Sequence, residues 1–158
     1  MGVSGCGKST VGRALASRLG ATFLDADDFH PPANVERMHA GIALTDAERA
    51  PWLGALAARL SRAQTAGEPV VLACSALKRG YRDALRRGAP HLHLVHLTGS
   101  PALLAARIGA RTDHYMPAKL LPSQLATLEV PGADERPITL DVALPADRLV
   151  AAILERIQ

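Results

Sequence analysis

Aromatic residues and lysines are scarce in this 158-residue sequence. Phe, Tyr and Trp make up 3% of it, too few for the stacking platforms on which single-stranded nucleic acids lie. Of eighteen basic residues only Lys8, Lys78 and Lys119 are lysine, and the net charge is only +3. The remainder is arginine, which matches phosphate and carboxylate oxygens two at a time, so a small anionic ligand suits the chain better than a nucleic-acid surface. Its two cysteines, Cys6 and Cys74, fit a reducing compartment, and neither has a Cys or His at zinc-ligand spacing. No apolar run approaches the ~20 residues that cross a bilayer, and no charged-then-apolar leader precedes the first motif. The expectation is a cytoplasmic protein without membrane or nucleic-acid partners. Internal repeats and low-complexity linkers are also missing, and the length suits one domain over residues 1–158.

What is present is a globular balance, 48% hydrophobic and 21% charged, arranged in alternating periods. Val11, Leu15 and Leu19 recur at helical spacing and stop at Gly20. Thr22 to Asp25 reads as a strand ending in acidic residues. Asn34 is a candidate cap for a short helix ended by Gly41, and Thr45 with Glu48 has capping-box spacing ahead of Leu53, Leu56 and Leu60. Pro51 suggests that the first turns there are a separate piece. Val70 to Cys74 has the continuous apolar character of a strand in a parallel sheet, and a basic helix follows from Lys78 to Arg87. Leu92 to Leu97 and Ile138 to Leu144 are further strands, with helices over Pro101 to Ile108 and Ala146 to Ile157. The alternation predicts an α/β fold, a parallel sheet covered by helices on both faces. Ligands in such folds lie at the carboxyl ends of the strands.

The most specific motif is Gly2-Val3-Ser4-Gly5-Cys6-Gly7-Lys8-Ser9, followed by Thr10. It fits the GxxxxGKS phosphate loop, whose backbone N–H groups curl round phosphate oxygens while glycines permit close approach and positive φ. Lys8 is placed to bridge the β- and γ-phosphates of ATP, Ser9 to hold Mg²⁺, and the following helix adds its positive end. Such a loop ordinarily follows a strand, yet only Met1 precedes Gly2. The expectation is a central strand of about six residues missing from the sheet, and a functional product about ten residues longer.

Several segments together resemble the gluconokinases, small P-loop kinases that phosphorylate the 6-hydroxyl of D-gluconate. They are the loop, Leu24-Asp25-Ala26-Asp27-Asp28-Phe29-His30-Pro31, Asn34 with Met38 and Gly41, Leu44-Thr45-Asp46, and Arg49-Ala50-Pro51-Trp52-Leu53. Cys74-Ser75-Ala76-Leu77-Lys78-Arg79, Tyr81-Arg82-Asp83, His114-Tyr115-Met116-Pro117, Ser123-Gln124-Leu125 and Thr127-Leu128-Glu129 continue the resemblance over nearly the whole chain. It implies a three-layer α/β/α P-loop fold like that of shikimate and nucleoside monophosphate kinases, use of ATP and Mg²⁺, and a homodimer as one arrangement.

The residue chemistry agrees. A hydroxyl nucleophile needs a carboxylate for its proton, and Asp25 and Asp27, two residues apart past a strand, are expected on one side of it. Asp27 is assigned to the acceptor hydroxyl and Asp25 to Mg²⁺ through water, and the reverse pairing stays open, as does a solvated pair. His30 is a candidate polyol contact or a packing residue. Arg79 and Arg82 are candidates for the gluconate carboxylate, against a solvated basic face. Arg107 and Arg111, one turn apart, lead toward His114. The resemblance makes residues of about 108–119 a lid whose arginines stabilise charge on the transferring phosphoryl group. Asp113 stands where the family usually has Gly. Gln124 interrupts an apolar stripe with Leu120 and Leu128, and is either substrate-facing or satisfied internally. His91, His93 and His96 read as strand surface and packing. Two rivals remain: a shikimate or nucleoside monophosphate kinase, and a non-catalytic nucleotide-binding remnant.

Overall fold

Strands and helices alternate along the computed structural model, which describes residues 1–110 and 120–157. Helix α1 (Lys8–Leu19) buries Val11 and Leu15 and ends at Gly20, whose φ of 62° no branched residue would adopt comfortably. Strand β1 (Thr22–Asp25) runs into a 3₁₀ turn at Ala26–Phe29, then α2 (Pro32–His39) and α3 (Asp46–Thr65). Strand β2 (Val70–Ala73), α4 (Arg79–Gly88), β3 (Val95–Thr98), α5 (Pro101–Gly109) and α6 (Leu121–Thr127) follow. A second 3₁₀ turn at Ala133–Glu135, β4 (Ile138–Asp141) and α7 (Ala146–Ile157) complete the described chain.

Three local expectations are corrected. Asn34 caps nothing: Pro31 precedes α2, and the buried Asn34 amide donates to Glu48 O at 2.9 Å, tying α2 to α3. Pro51 does not divide α3: the helix runs through it, at the loss of the one N–H that would have bonded Ala47 O near the N-terminal end. The Thr45–Glu48 capping box forms as read and starts that single 20-residue helix at Asp46. Strands β3 and β4 are shorter than their apolar runs, each trimmed to the four residues that pair.

Both strand pairings are parallel, β1 with β2 and β3 with β4. The pairs do not join directly. Met1 lies between them: its amine donates to Val95 O, its carbonyl accepts from Leu97 N at 2.9 Å, and Gly2 N donates to Ser75 O beyond β2. Below Met1 opens a cavity of about 460 Å³, with Val71 and Ala73 of β2 on one side and Val95 and Leu97 of β3 on the other. This is where the sequence led us to expect a central strand.

The apolar interior has two parts. One packs α1, α5 and α7 on β3 and β4 around Leu104, Val142 and Ile153. The other packs α3 and α4 against the first 3₁₀ turn around Trp52 and Leu56, both 1% exposed. At about 1.5–3 kcal/mol per large side chain buried, this second cluster is what fixes the turn carrying Asp27.

Candidate active site

The phosphate loop departs from Met1 and ends in α1. Gly2, Gly5 and Gly7 have φ of 144°, 83° and 81°, and a Cβ on Gly2 would sit 2.5 Å from Leu97 O. Glycine is required there by both conformation and space. Gly7 stands at the N-cap of α1 with no side chain to receive the first-turn N–H groups. The helix therefore presents uncapped donors and its positive end, which fits a phosphate group. Lys8 Nζ donates to Val3 O at 3.1 Å across the loop, and Cys6 is fully buried beneath it.

Asp25 and Asp27 meet the same cleft, although strand alternation is not the reason. Asp25 ends β1 and caps the 3₁₀ turn by accepting from Asp27 N at 3.2 Å; the turn, not the strand, presents Asp27. The other Asp25 oxygen accepts from Ser9 Oγ at 2.7 Å. Both carboxylate oxygens of Asp25 are thus engaged, one by the turn and one by the loop. A hydroxyl and a carboxylate held this way form an oxygen donor set suited to a hard cation.

His30 also lines the cleft. Its ring stacks on Trp52, centroids 4.2 Å apart and 13° from parallel, while Trp52 Nε1 donates to Ala26 O at 2.7 Å. Burial, reinforced by the nearby Arg49 charge, lowers the His30 pKa to about 4, so the ring is neutral at physiological pH. Its Nδ1 is buried with no partner among the described residues.

Gln124 Oε1 accepts from Ser4 N at 2.7 Å, which latches α6 onto the phosphate loop, and the residue also lines the cleft.

The expected arginines are not where the sequence suggested. Arg82 is 2% exposed and forms a bidentate pair with Glu135, Nε to Oε2 and Nη2 to Oε1 both at 2.7 Å. Its Nη1 donates to the carbonyls of Ala76, Leu77 and Glu129. A guanidinium so committed cannot bind substrate. It holds the turn after Ser75, where Ala76 has a φ of 45°, against the segment before β4. Arg79 is exposed and turned away, paired with Asp134 at 2.6 Å. Arg107 donates to Val142 O at 2.8 Å, past the end of β4, and does not line the cleft. Arg111, His114 and most of the expected lid lie outside the described residues.

Arg49, which was not among the expected arginines, does reach the cleft. It lines the cleft with Lys8, Asp25, Asp27 and His30. It sits in the first turns of α3, and nothing in its spacing distinguishes it from the other arginines. Ser75, Leu77 and Ser123 also line the cleft, and Leu77 and Ser123 carried no role in the sequence reading.

Residues 1–131 match the family model described as an AAA domain. The chain is 49% identical to the gluconokinase of Gluconobacter oxydans 621H over 158 residues, covering all of this chain and 89% of that one. Its identity to the thermoresistant gluconokinase of Escherichia coli K12 is 41% over 159 residues, again all of this chain and 91% of the relative. The crystal structure of a gluconokinase from Sinorhizobium meliloti 1021 superposes with a TM-score of 0.87 at 49% identity, over 98% of this chain and 87% of that one.

Proposed function

The chain belongs to the gluconokinase family, an ATP-dependent phosphotransferase family with an alcohol acceptor, and we propose how its cleft moves the phosphoryl group to the 6-hydroxyl of D-gluconate. The observation that carries the proposal is the convergence of Lys8, Ser9, Asp25 and Asp27 on one cleft. Phosphoryl transfer asks the protein mainly for position and charge, and these groups supply both.

Asp27 receives the proton or hydrogen bond of the attacking hydroxyl. Asp25 is left to the metal side because the 3₁₀ turn and Ser9 already hold its two oxygens. Mg²⁺, when bound, neutralises charge shared by the β- and γ-phosphates, and Ser9 with Asp25 are the residues that would hold it, Asp25 through water. Gly5, Gly7 and the first turn of α1, with Val3, Ser4, Cys6 and Thr10 around them, receive the phosphates through main-chain N–H groups. Lys8 exchanges its bond to Val3 O for phosphate oxygens. Neutral His30, fixed by Trp52, bonds a polyol hydroxyl through Nδ1. Arg111 and His114 close over the transferring group as a lid, shielding it from water. A cytoplasmic location and a homodimer complete the proposal; light scattering tests the latter.

ADP release measured with gluconate, shikimate and AMP tests the reading, and turnover with either rival but not gluconate refutes it. Within it, Asp27→Asn lowers kcat by roughly 10²–10⁴-fold with KM for ATP little changed. Asp25→Asn instead raises the Mg²⁺ concentration needed for half-maximal rate. An active Asp27→Asn would reverse the assignment.

A further inference from the structure

Gluconate carries a carboxylate at the opposite end from the hydroxyl that reacts, and a site that accepts it must neutralise or solvate that charge. Lys8 and Arg49 are the two Lys or Arg side chains lining the cleft among the described residues. Lys8 belongs to the phosphate loop. Arg49 is therefore the cation left for the acceptor.

Its surroundings orient it, and Asp46 and Glu48 act on it only at longer range, without a direct ion pair among the described residues. Nε donates to Leu44 O at 3.3 Å, and the guanidinium carbon stands 5.6 Å from the centre of the Tyr81 ring. The nearest carboxylates in sequence are taken by other groups. Asp46 binds Lys78 at 2.8 Å and also accepts from Tyr81, while Glu48 closes the capping box and pairs with Arg37 at 3.0 Å. Arg37, Arg59, Arg79, Arg82 and Arg86 each have a carboxylate within 4.0 Å; Arg49 has none among the described residues. With Nε on Leu44, both terminal nitrogens remain for an incoming anion.

We propose that Arg49 binds the substrate carboxylate and makes the enzyme select sugar acids over neutral polyols. The inference rests on the gluconate reading above and names the residue that reads the acid. Arg49 takes no part in the phosphoryl transfer itself. Neutral His30 beside it adds a hydrogen bond without competing for the anion.

The test compares D-gluconate with its uncharged amide, D-gluconamide, as acceptors for the wild-type enzyme, Arg49→Gln and Arg49→Lys. The expected result for Arg49→Gln is a fall in kcat/KM for gluconate of roughly 10- to 150-fold, carried by KM, since that is what a charge-assisted hydrogen bond contributes. Its KM for ATP should stay at the wild-type value, which reports correct folding, and its kcat/KM for the amide should fall far less than that for gluconate, because a neutral carbonyl loses only an uncharged acceptor's hydrogen bond. Arg49→Lys should keep part of the acid preference, because the charge survives and the two-pronged geometry does not. An acid-to-amide ratio unchanged in Arg49→Gln overturns the proposal. Wild-type enzyme inert toward gluconate overturns instead the reading on which it rests.

Discussion

Gln124 Oε1 accepts a hydrogen bond from Ser4 N at 2.7 Å, so a side chain from α6 satisfies a backbone donor of the phosphate loop. The two residues are 120 positions apart, and α6 directly follows the segment expected to form the lid. A phosphate oxygen arriving at Ser4 N must displace this contact. Gln124→Ala is predicted to tighten ATP binding by roughly 2- to 10-fold, the net worth of one hydrogen bond, as read by titration calorimetry. Weaker binding would mean that the contact persists with nucleotide bound and supports the loop.

Arg82 and Glu135 form an ion pair with both side chains at 2% exposure or less. Arg86 joins it at 2.9 Å, and these guanidinium hydrogen bonds, Arg82 first, hold the Glu135 pKa down to about 2 despite burial. Removing one partner strands a buried charge. Arg82→Met is predicted to lose about 3–5 kcal/mol in urea unfolding. KM for gluconate in the folded fraction should change little, whereas a substrate-binding Arg82 would raise it with little loss of stability.

Burial pushes three bases toward their uncharged forms: the Met1 amine, His30 and His96. Burial lowers the Met1 amine from 8.0 to about 6, and burial with the Arg49 charge lowers His30 from 6.5 to about 4. Between pH 8 and 4 the unfolded chain binds more protons than the folded one. Stability is then complete above pH 8 and falls as the pH drops toward 4. Thermal melts should show a lower Tm at pH 5 than at pH 8. His30→Gln should reduce the loss below pH 6.5, leaving the share that His96 contributes, and keep that between 8 and 6; an identical pH profile would contradict the assignment.

The cavity of about 460 Å³ beneath Met1 exposes apolar side chains of β2 and β3 and leaves their facing edges unpaired by one another. A six-residue Val/Ile-rich segment fused ahead of Met1 is predicted to pair with both and to raise Tm by at least about 2–4 °C, the equivalent of 1 kcal/mol in a domain of this size. An extension of equal length broken by proline should not, because proline cannot join the ladder. Hydrogen exchange at the Leu72 and Val95 amides, on the facing edges, checks the mechanism. Equal protection in the two fusions would sink it.

Local physics was legible from residue order. The α1 boundary at Gly20, the Thr45–Glu48 box and the phosphate loop each depend on interactions within a few positions, so spacing alone located them.

Tertiary structure decided the fate of the polar and charged side chains. Arg79, Arg82, Arg107 and Arg49 look alike in sequence, since all are arginines in the first or last turns of helices. Which of them reaches the cleft depends on carboxylates and carbonyls brought in from elsewhere: Glu135 takes Arg82, Asp134 takes Arg79, Val142 takes Arg107, and Asp46 and Glu48 are diverted from Arg49 to other partners. The same holds for Asn34, Gln124 and the pair Asp25 and Asp27, whose orientations come from Glu48, Ser4 and a 3₁₀ turn. Sequence by itself determined a phosphate loop on an α/β kinase frame, because backbone geometry and apolar periodicity are short-range. Only the folded chain decided which charges stay unpaired in the cleft, because long-range electrostatic pairing is fixed by the packing of distant segments.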